Sequence, residues 1–345
     1  MNNNRQSPIF WAKRIAANGS FDRIAIPSIV FFLLLVAVGG SASSAFLSGF
    51  NISNVLIQVT PLLLIALGQT LAVGSGGIDL SVGSTASLAA VTAAMLFDPV
   101  GPVMAITAAI VIALIAGLIN GLLIAFGIEP FLVTLATLSI FQGVAFLITP
   151  IPGGNVPEFF TGFARLWGNV PVALPFVLVI AVAVSLVLRR TSTGADILAV
   201  GGDHVVARLM GVRMNWTLVK TYIFVAALAG LAGLFLVART RTGDPTIGAR
   251  FALDSLAAVV VGGTLLAGGR ITIIGTVFGA LALGLVPNVM NLAGVPSFFQ
   301  TASKGVILLG AIILPVVIAA IIAHRRNRKL ARAMGYGQLL VQPRI

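Results

Sequence analysis

Cysteine is absent from the chain, which excludes a disulfide framework, a thiolate metal site and a cysteine nucleophile. Charge is also scarce. Only 9% of the residues are Asp, Glu, Lys or Arg, against roughly a quarter in an ordinary soluble domain. The two histidines, His204 and His324, stand alone and at no metal-ligand spacing. No G-x-x-x-x-G-K-[ST] stretch occurs, and neither Lys220 nor Lys304 follows the required glycines, so the chain has no phosphate-binding loop of its own. What is present is apolar: 58% of the 345 residues are hydrophobic and the mean hydropathy is +1.09, which excludes a soluble enzyme. The sparse charge is lopsided, with 21 Lys and Arg against 9 Asp and Glu, a net +12. Such an excess fits a nucleic-acid binder only where a wetted basic surface exists. Here long charge-free stretches separate the cations, so the excess reads as membrane topology and nucleic acid is excluded as a partner.

A helix crossing the hydrocarbon core needs about 20 mainly apolar residues, which converts the intervals between charges into spans. Residues 24–78 are too long for one helix and too apolar for a loop. The break falls at Asn51, Ser53 and Asn54, giving spans at 24–46 and 54–74. Further spans are expected at 80–97, 99–128, 130–149, 172–188, 216–238, 255–268, 271–292 and 301–323, the eighth being short and Gly-rich. The reading is an all-α polytopic integral membrane protein of about ten transmembrane helices. Its parts are a leader (1–23), a transmembrane domain (24–323) interrupted by the polar loop 189–215, and a basic tail (324–345). With both termini cytoplasmic, sixteen of the 21 cations face the cytoplasm, leaving Arg165, Arg239, Arg241, Arg250 and Lys304 outside, as the positive-inside rule requires. The basic leader, the apolar stretch and the small residues 41–45 imitate a cleavable signal peptide. Cleavage would remove one span, and the long polar leader fits an uncleaved anchor better.

Polar residues at bilayer depth are informative because each costs free energy unless it has a partner or a wet path. The stretch Gly74-Ser75-Gly76-Gly77-Ile78-Asp79-Leu80-Ser81-Val82-Gly83-Ser84 reads as a tight or re-entrant turn, where Asp79 accepts from backbone N–H groups at the next helix start. Glu129-Pro130 reads as a helix start. Gln69, Asp79, Asn120, Thr134, Gln142, Asn288 and Gln300 are candidate groups of a translocation path, since amides and hydroxyls bond a neutral hydroxyl-rich solute without the cost of an ion. The ordinary alternative for each amide is interhelical bonding. A weak internal repeat pairs residues 76–90 with 268–282 and residues 127–131 with 294–298.

Within the loop 189–215, Asp203-His204-Val205-Val206-Ala207-Arg208-Leu209-Met210 forms a short amphipathic helix stopped at Gly211. It either lies on the membrane surface or docks another protein. Several blocks now fall into a recognisable order. They are Gly76-Gly77-Ile78-Asp79-Leu80-Ser81-Val82-Gly83-Ser84, Asn120-Gly121-Leu122-Leu123-Ile124, Pro130-Phe131-Leu132-Val133-Thr134-Leu135, Ala199-Val200-Gly201-Gly202, Ala207-Arg208-Leu209-Met210-Gly211-Val212, and Val259-Val260-Val261-Gly262-Gly263-Thr264 with Gly268-Gly269-Arg270. Over residues 50–323 the chain resembles the permease subunits of ribose-type sugar ABC importers, in the branched binding-protein-dependent permease group. The resemblance implies a pair of permease chains in the bacterial inner membrane, a separate cytoplasmic ATP-binding subunit carrying ATP and Mg, a periplasmic sugar-binding protein, and no cofactor in this chain. It also implies a coupling helix over residues 202–213, assigning contact with the ATPase to Gly202, Asp203, Ala207, Arg208, Leu209, Met210 and Gly211. Ser75, where many relatives carry Thr, the Pro/Gly-rich segment 150–171 and the tail after Ala323 depart from the family pattern.

The expected function is inward passage of a small carbohydrate, a ribose-type monosaccharide or related polyol, by alternating access. The rival is a stand-alone secondary transporter or facilitator, which needs a buried carboxylate with partners. Asp79, Glu129 and Asp254 are the candidates and all lie near predicted helix ends. A membrane-embedded enzyme would need a nucleophile–base or His/Asp/Glu cluster at depth, and the sequence offers none.

Overall fold

The computed structural model describes residues 25–167, 170–296, 298–300, 302–303, 305–307, 309–310 and 313. The leader 1–23, the tail 324–345 and most of the tenth predicted span, 301–323, lie outside the described residues. Helix ends follow local chemistry. Helix α1 (Ile26–Ala42) starts with Pro at its first turn. Helix α2 (Gly49–Gly74) is capped by Ser48, whose hydroxyl accepts from the Asn51 N–H. Helices α3 (Val82–Val100) and α4 (Pro102–Ala125) meet at Gly101. The sequence marks a turn across Asp98-Pro99 and Gly101-Pro102, and the turn falls at Gly101, with Asp98 and Pro99 still in the last turn of α3. The chain reverses at Gly101 because φ there is +80°, a conformation open to glycine at little steric cost. Helix α5 (Pro130–Ile148) begins as expected, with Glu129 at the cap and Pro130 in the first turn.

The segment 150–171 is not wholly irregular. It holds a single-turn helix α6 (Glu158–Thr161) and a two-residue antiparallel ribbon, β1 (Leu166–Trp167) with β2 (Val170–Pro171). The all-α expectation is therefore corrected by one small ribbon. Phe160 of α6 is buried against Phe97 of α3, ring centroids 5.0 Å apart, and Gly153 pairs with Gly243 in both directions, at 3.0 and 2.8 Å. Helices α7 (Ala173–Arg190), α8 (Ser192–Gly202), α9 (His204–Leu209) and α10 (Met214–Thr240) follow. Helix α11 (Phe251–Val261) has only 11 residues, about 16 Å at 1.5 Å per residue. The eighth predicted span, 255–268, is thus shifted and cut short. Its helix starts earlier and stops at Gly262, and the chain then turns through Gly263, Gly268 and Gly269, all at positive φ. Helix α12 (Ile273–Leu292) is capped by Thr272, which accepts from the Gly275 N–H.

Six of these helices, α2, α4, α5, α7, α10 and α12, are long and apolar enough to cross a membrane, and α1 and α11 are shorter apolar helices. The most apolar 18 residues of α2 and α10 are 83% and 78% buried, against 28%, 28% and 17% for α4, α5 and α7. Helices α2 and α10 therefore form the centre, and α4, α5 and α7 present leucine, valine and phenylalanine outward. Helix α3 is long enough to span, yet carries Gly83, Ser84, Thr85, Ser87 and Thr92, all of them buried. Its small polar side chains suit a helix enclosed by protein rather than lipid. Close approach needs small residues where backbones meet: a Cβ on Gly233 of α10 would run into the Ala86 carbonyl of α3, and one on Gly117 of α4 would lie 2.6 Å from the Ala226 Cβ. Helix α1 packs on α12, with Phe32 edge-on to Phe278 at 5.5 Å, beside an apolar cavity of about 220 Å³. Both halves of the 127–131/294–298 repeat end a helix the same way: Gly127 and Gly294 have φ +97° and +73°, and Ile128 and Val295 donate back to the Leu123 and Met290 carbonyls, the Schellman pattern.

Candidate functional site

The chain between α2 and α3 is where the polar interior collects. Gly76 turns at φ +86° and Asp79 is 1% exposed. One carboxylate oxygen of Asp79 accepts from the Ser81 N–H at 2.8 Å and from the Ser81 hydroxyl at 2.6 Å, at the start of α3, as the sequence reading had it. Asn120 of α4 donates to the same Ser81 hydroxyl at 2.8 Å, and the Thr134 hydroxyl of α5 donates to the Ile78 carbonyl at 3.0 Å. Three of the expected path residues, Asp79, Asn120 and Thr134, thus converge on one turn. Ser81 and Tyr222 join them and were missed. The D-x-S spacing 79–81 was a usable signal, because a carboxylate bonding the backbone two residues on makes a turn. Tyr222 is one of two tyrosines in the chain. It lies fully buried on α10 with its hydroxyl where a Cβ on Gly77 would sit.

Bonding capacity is left over in this interior. The Tyr222 hydroxyl, the Asn120 Oδ1 and both amide atoms of Gln69 on α2 are buried without a hydrogen-bond partner among the described residues. Each such group costs about 1–3 kcal/mol, and polar atoms held this way accept a water or a solute hydroxyl when one arrives. The other three path candidates lie elsewhere and are bonded. Gln142 of α5 donates to the Pro245 carbonyl at 2.6 Å. Asn288 of α12 and Asn51 of α2 donate to each other, at 2.7 and 3.1 Å. Gln300 donates to Asn291 at 2.6 Å. Asn288 and Asn291, the partner of Gln300, lie one turn apart on α12, and Gln142 bonds a different segment.

The second feature is α9 and its surroundings. Gly202 ends α8, and Asp203 caps α9 by accepting from the Val205 and Val206 N–H groups at 2.8 and 3.0 Å. Ala207 is buried, whereas Val205, Val206, Leu209 and Met210 are exposed. Arg208 lies in the last turn, and Gly211 ends the helix at φ +79° while Val212 donates back to Ala207. The expected coupling helix over 202–213 is therefore a capped six-residue helix with one apolar face uncovered. Just behind it, burial raises the pKa of Asp196 on α8 above the usual 3.8, and the Lys220 ammonium offsets part of that rise. No cluster of three or more His, Cys, Asp or Glu suited to a metal occurs among the described residues.

Residues 51–317 match the family model described as "Branched-chain amino acid transport system / permease component". The chain is similar to the ribose import permease protein RbsC of Bacillus subtilis (strain 168), 38% identical over 308 residues, 88% of this chain and 95% of that protein. It is likewise similar to RbsC of Escherichia coli (strain K12), 35% identical over 297 residues, 83% and 92% of the two chains. To the D-allose transport system permease protein AlsC of Escherichia coli (strain K12) it is 31% identical over 297 residues, 84% and 91% of the two chains. No solved structure matches it. With its membrane-spanning helices and a family match over most of its length, the chain belongs to the permease components of the branched-chain amino acid transport system family.

Proposed function

We propose that this chain is the membrane-spanning permease subunit of an ATP-binding-cassette importer that carries a small carbohydrate, a ribose-type monosaccharide or related polyol, across the bacterial inner membrane. The observation that carries the proposal is similarity to ribose import permeases over nearly the full length of both chains. The chain itself catalyses no reaction; ATP and Mg belong to a separate cytoplasmic subunit. A second permease chain and a periplasmic sugar-binding protein complete the assembly. In this reading the chain has about ten membrane helices and both termini are cytoplasmic; α9 then lies on the ATPase side, and the ATP-binding subunit covers its apolar face.

The interior suits a neutral solute. Gln69 and Asn120 hold free amide atoms, and a sugar hydroxyl both donates and accepts, so either amide atom can serve it. Asp79 and Thr134 hold the turn on which Asn120 bears. Gln142, Asn288 and Gln300 serve a path only by exchanging the bonds they now make. Scattered neutral groups bind weakly enough to release, and energy for the cycle enters through the partner.

The test is uptake of labelled ribose into liposomes. Uptake should require this chain, its ATP-binding subunit, the binding protein and ATP together. Full uptake by this chain alone would instead establish the stand-alone facilitator.

A further inference from the structure

Three separate segments meet backbone to backbone immediately before α9. One is the turn that ends α2, at Gly74 and Gly76. The second is the end of α8, at Gly201 and Gly202. The third is the turn between α11 and α12, at Gly268 and Gly269. The Gly269 N–H donates to the Gly74 carbonyl at 3.1 Å. A Cβ on Gly201 would collide with that same carbonyl oxygen and lie 2.8 Å from the Gly269 nitrogen. One on Gly268 would lie 2.6 Å from the Gly201 carbonyl and 2.8 Å from the Gly76 Cα. At Gly201 and Gly268 the nearest atoms are all backbone, and the Ile271 side chain flanks the junction at Gly74. Position 40 on α1 has no such neighbours: among the described residues a Cβ there meets nothing within 4 Å.

This contact has a mechanical consequence. Side chains between two elements absorb small shifts by changing rotamer, whereas close-packed backbones pass a displacement on undiminished. Asp203, the cap of α9, is two residues from Gly201. On one side the junction is continuous with the turn that bears Ile78, Asp79 and Ser81. On the other it leads through Thr272 into α12.

We propose that Gly201 is a positioning residue that passes movement of α9 to the α2–α3 turn and the α11–α12 turn at once, so that docking at α9 is felt at the Asp79–Ser81–Asn120 cluster. The proposal deepens the importer reading and rests on it. Gly201 touches no solute; it acts through the two turns it contacts.

The experiment compares Gly201→Ala with Gly40→Ala in the full complex of permease, ATP-binding subunit and binding protein. Both changes add one methyl to a glycine within a helix, and only the first strikes the junction. Gly201→Ala should lower ATP-driven uptake by about tenfold and abolish stimulation of ATP hydrolysis by the sugar-loaded binding protein, while the subunits still co-purify. Gly40→Ala should behave as the wild type. Equal behaviour of the two variants overturns the proposal. If Gly201→Ala fails to assemble, hydrogen exchange on the unmodified complex decides. A non-hydrolysable ATP analogue with Mg should change protection in peptides 72–81 and 263–272 together with 199–211, and a change confined to 199–211 overturns the proposal. Absence of ATP-driven uptake by the wild-type complex would refute the importer reading instead, a separate result.

Discussion

The reciprocal amide pair Asn51–Asn288 offers a measurable interaction energy between α2 and α12. The perturbation is a double-mutant cycle of Asn51→Leu, Asn288→Leu and both together. The pair holds two hydrogen bonds, at 2.7 and 3.1 Å. Interhelical side-chain bonds in membranes average about 0.6 kcal/mol and reach about 1.7, so the cycle should return a coupling energy of about 1.2 kcal/mol, with a ceiling of about 3.4. Each single variant also strands the surviving amide among apolar groups, which the double variant does not. The two singles should differ as well, because Asn51 additionally donates to the Phe46 carbonyl at 2.8 Å, making Asn51→Leu the costlier. Reversible unfolding in mixed micelles reads the energies, and ribose uptake per folded molecule separates a clasp from a path role for Asn288. Strictly additive singles would refute the pairing.

Three other outcomes follow from particular contacts. Asp203→Ala removes the cap of α9 and should cost about 1 kcal/mol of local helix stability. Co-purification of the ATP-binding subunit should fall accordingly, and Asp203→Asn should restore it. Tyr222→Phe deletes a buried hydroxyl without a partner among the described residues, so thermal stability should hold or rise by up to about 1 kcal/mol; a clear loss means that the hydroxyl is bonded. Burial raises the pKa of Asp196 above 3.8, so the folded state binds its proton more tightly than the unfolded chain does. Its contribution therefore disfavours folding at neutral pH, and that penalty is relieved as pH falls toward 3.8. Asp196→Asn should stabilise at neutral pH and remove this part of the pH profile, as unfolding at several pH values will show.

The turn 74–84 was legible because its glycines and an aspartate just before the next helix are local chemistry, written within a dozen residues. The same holds for the start of α5 at Glu129-Pro130 and for the cap and stop of α9 at Asp203 and Gly211. Partners of buried amides were not legible. Asn51 and Asn288 are 237 positions apart, and Gln142 reaches a carbonyl 103 positions away, so nothing near either residue announces the bond. Charge spacing located spans but not their ends. It carried the eighth element on to residue 268, although the helix stops at Gly262 and the chain there is buried among other backbone. Tyr222 escaped notice because an aromatic residue in an apolar span looks like lipid-facing bulk until the neighbouring glycine shows where its hydroxyl lies.

The packing of α1 on α12 bears on how the protein is made. Phe32 and Phe278 touch, yet 245 of the 345 residues are synthesised between them. At about 5–20 residues per second, the first helix leaves the ribosome on the order of ten seconds or more before its mate exists. Through that interval the insertion machinery or surrounding lipid must shield the face of α1 that α12 later covers. A chain truncated before residue 273 therefore strands its first helix, which makes α1 the natural place for quality-control proteases to distinguish finished from unfinished molecules.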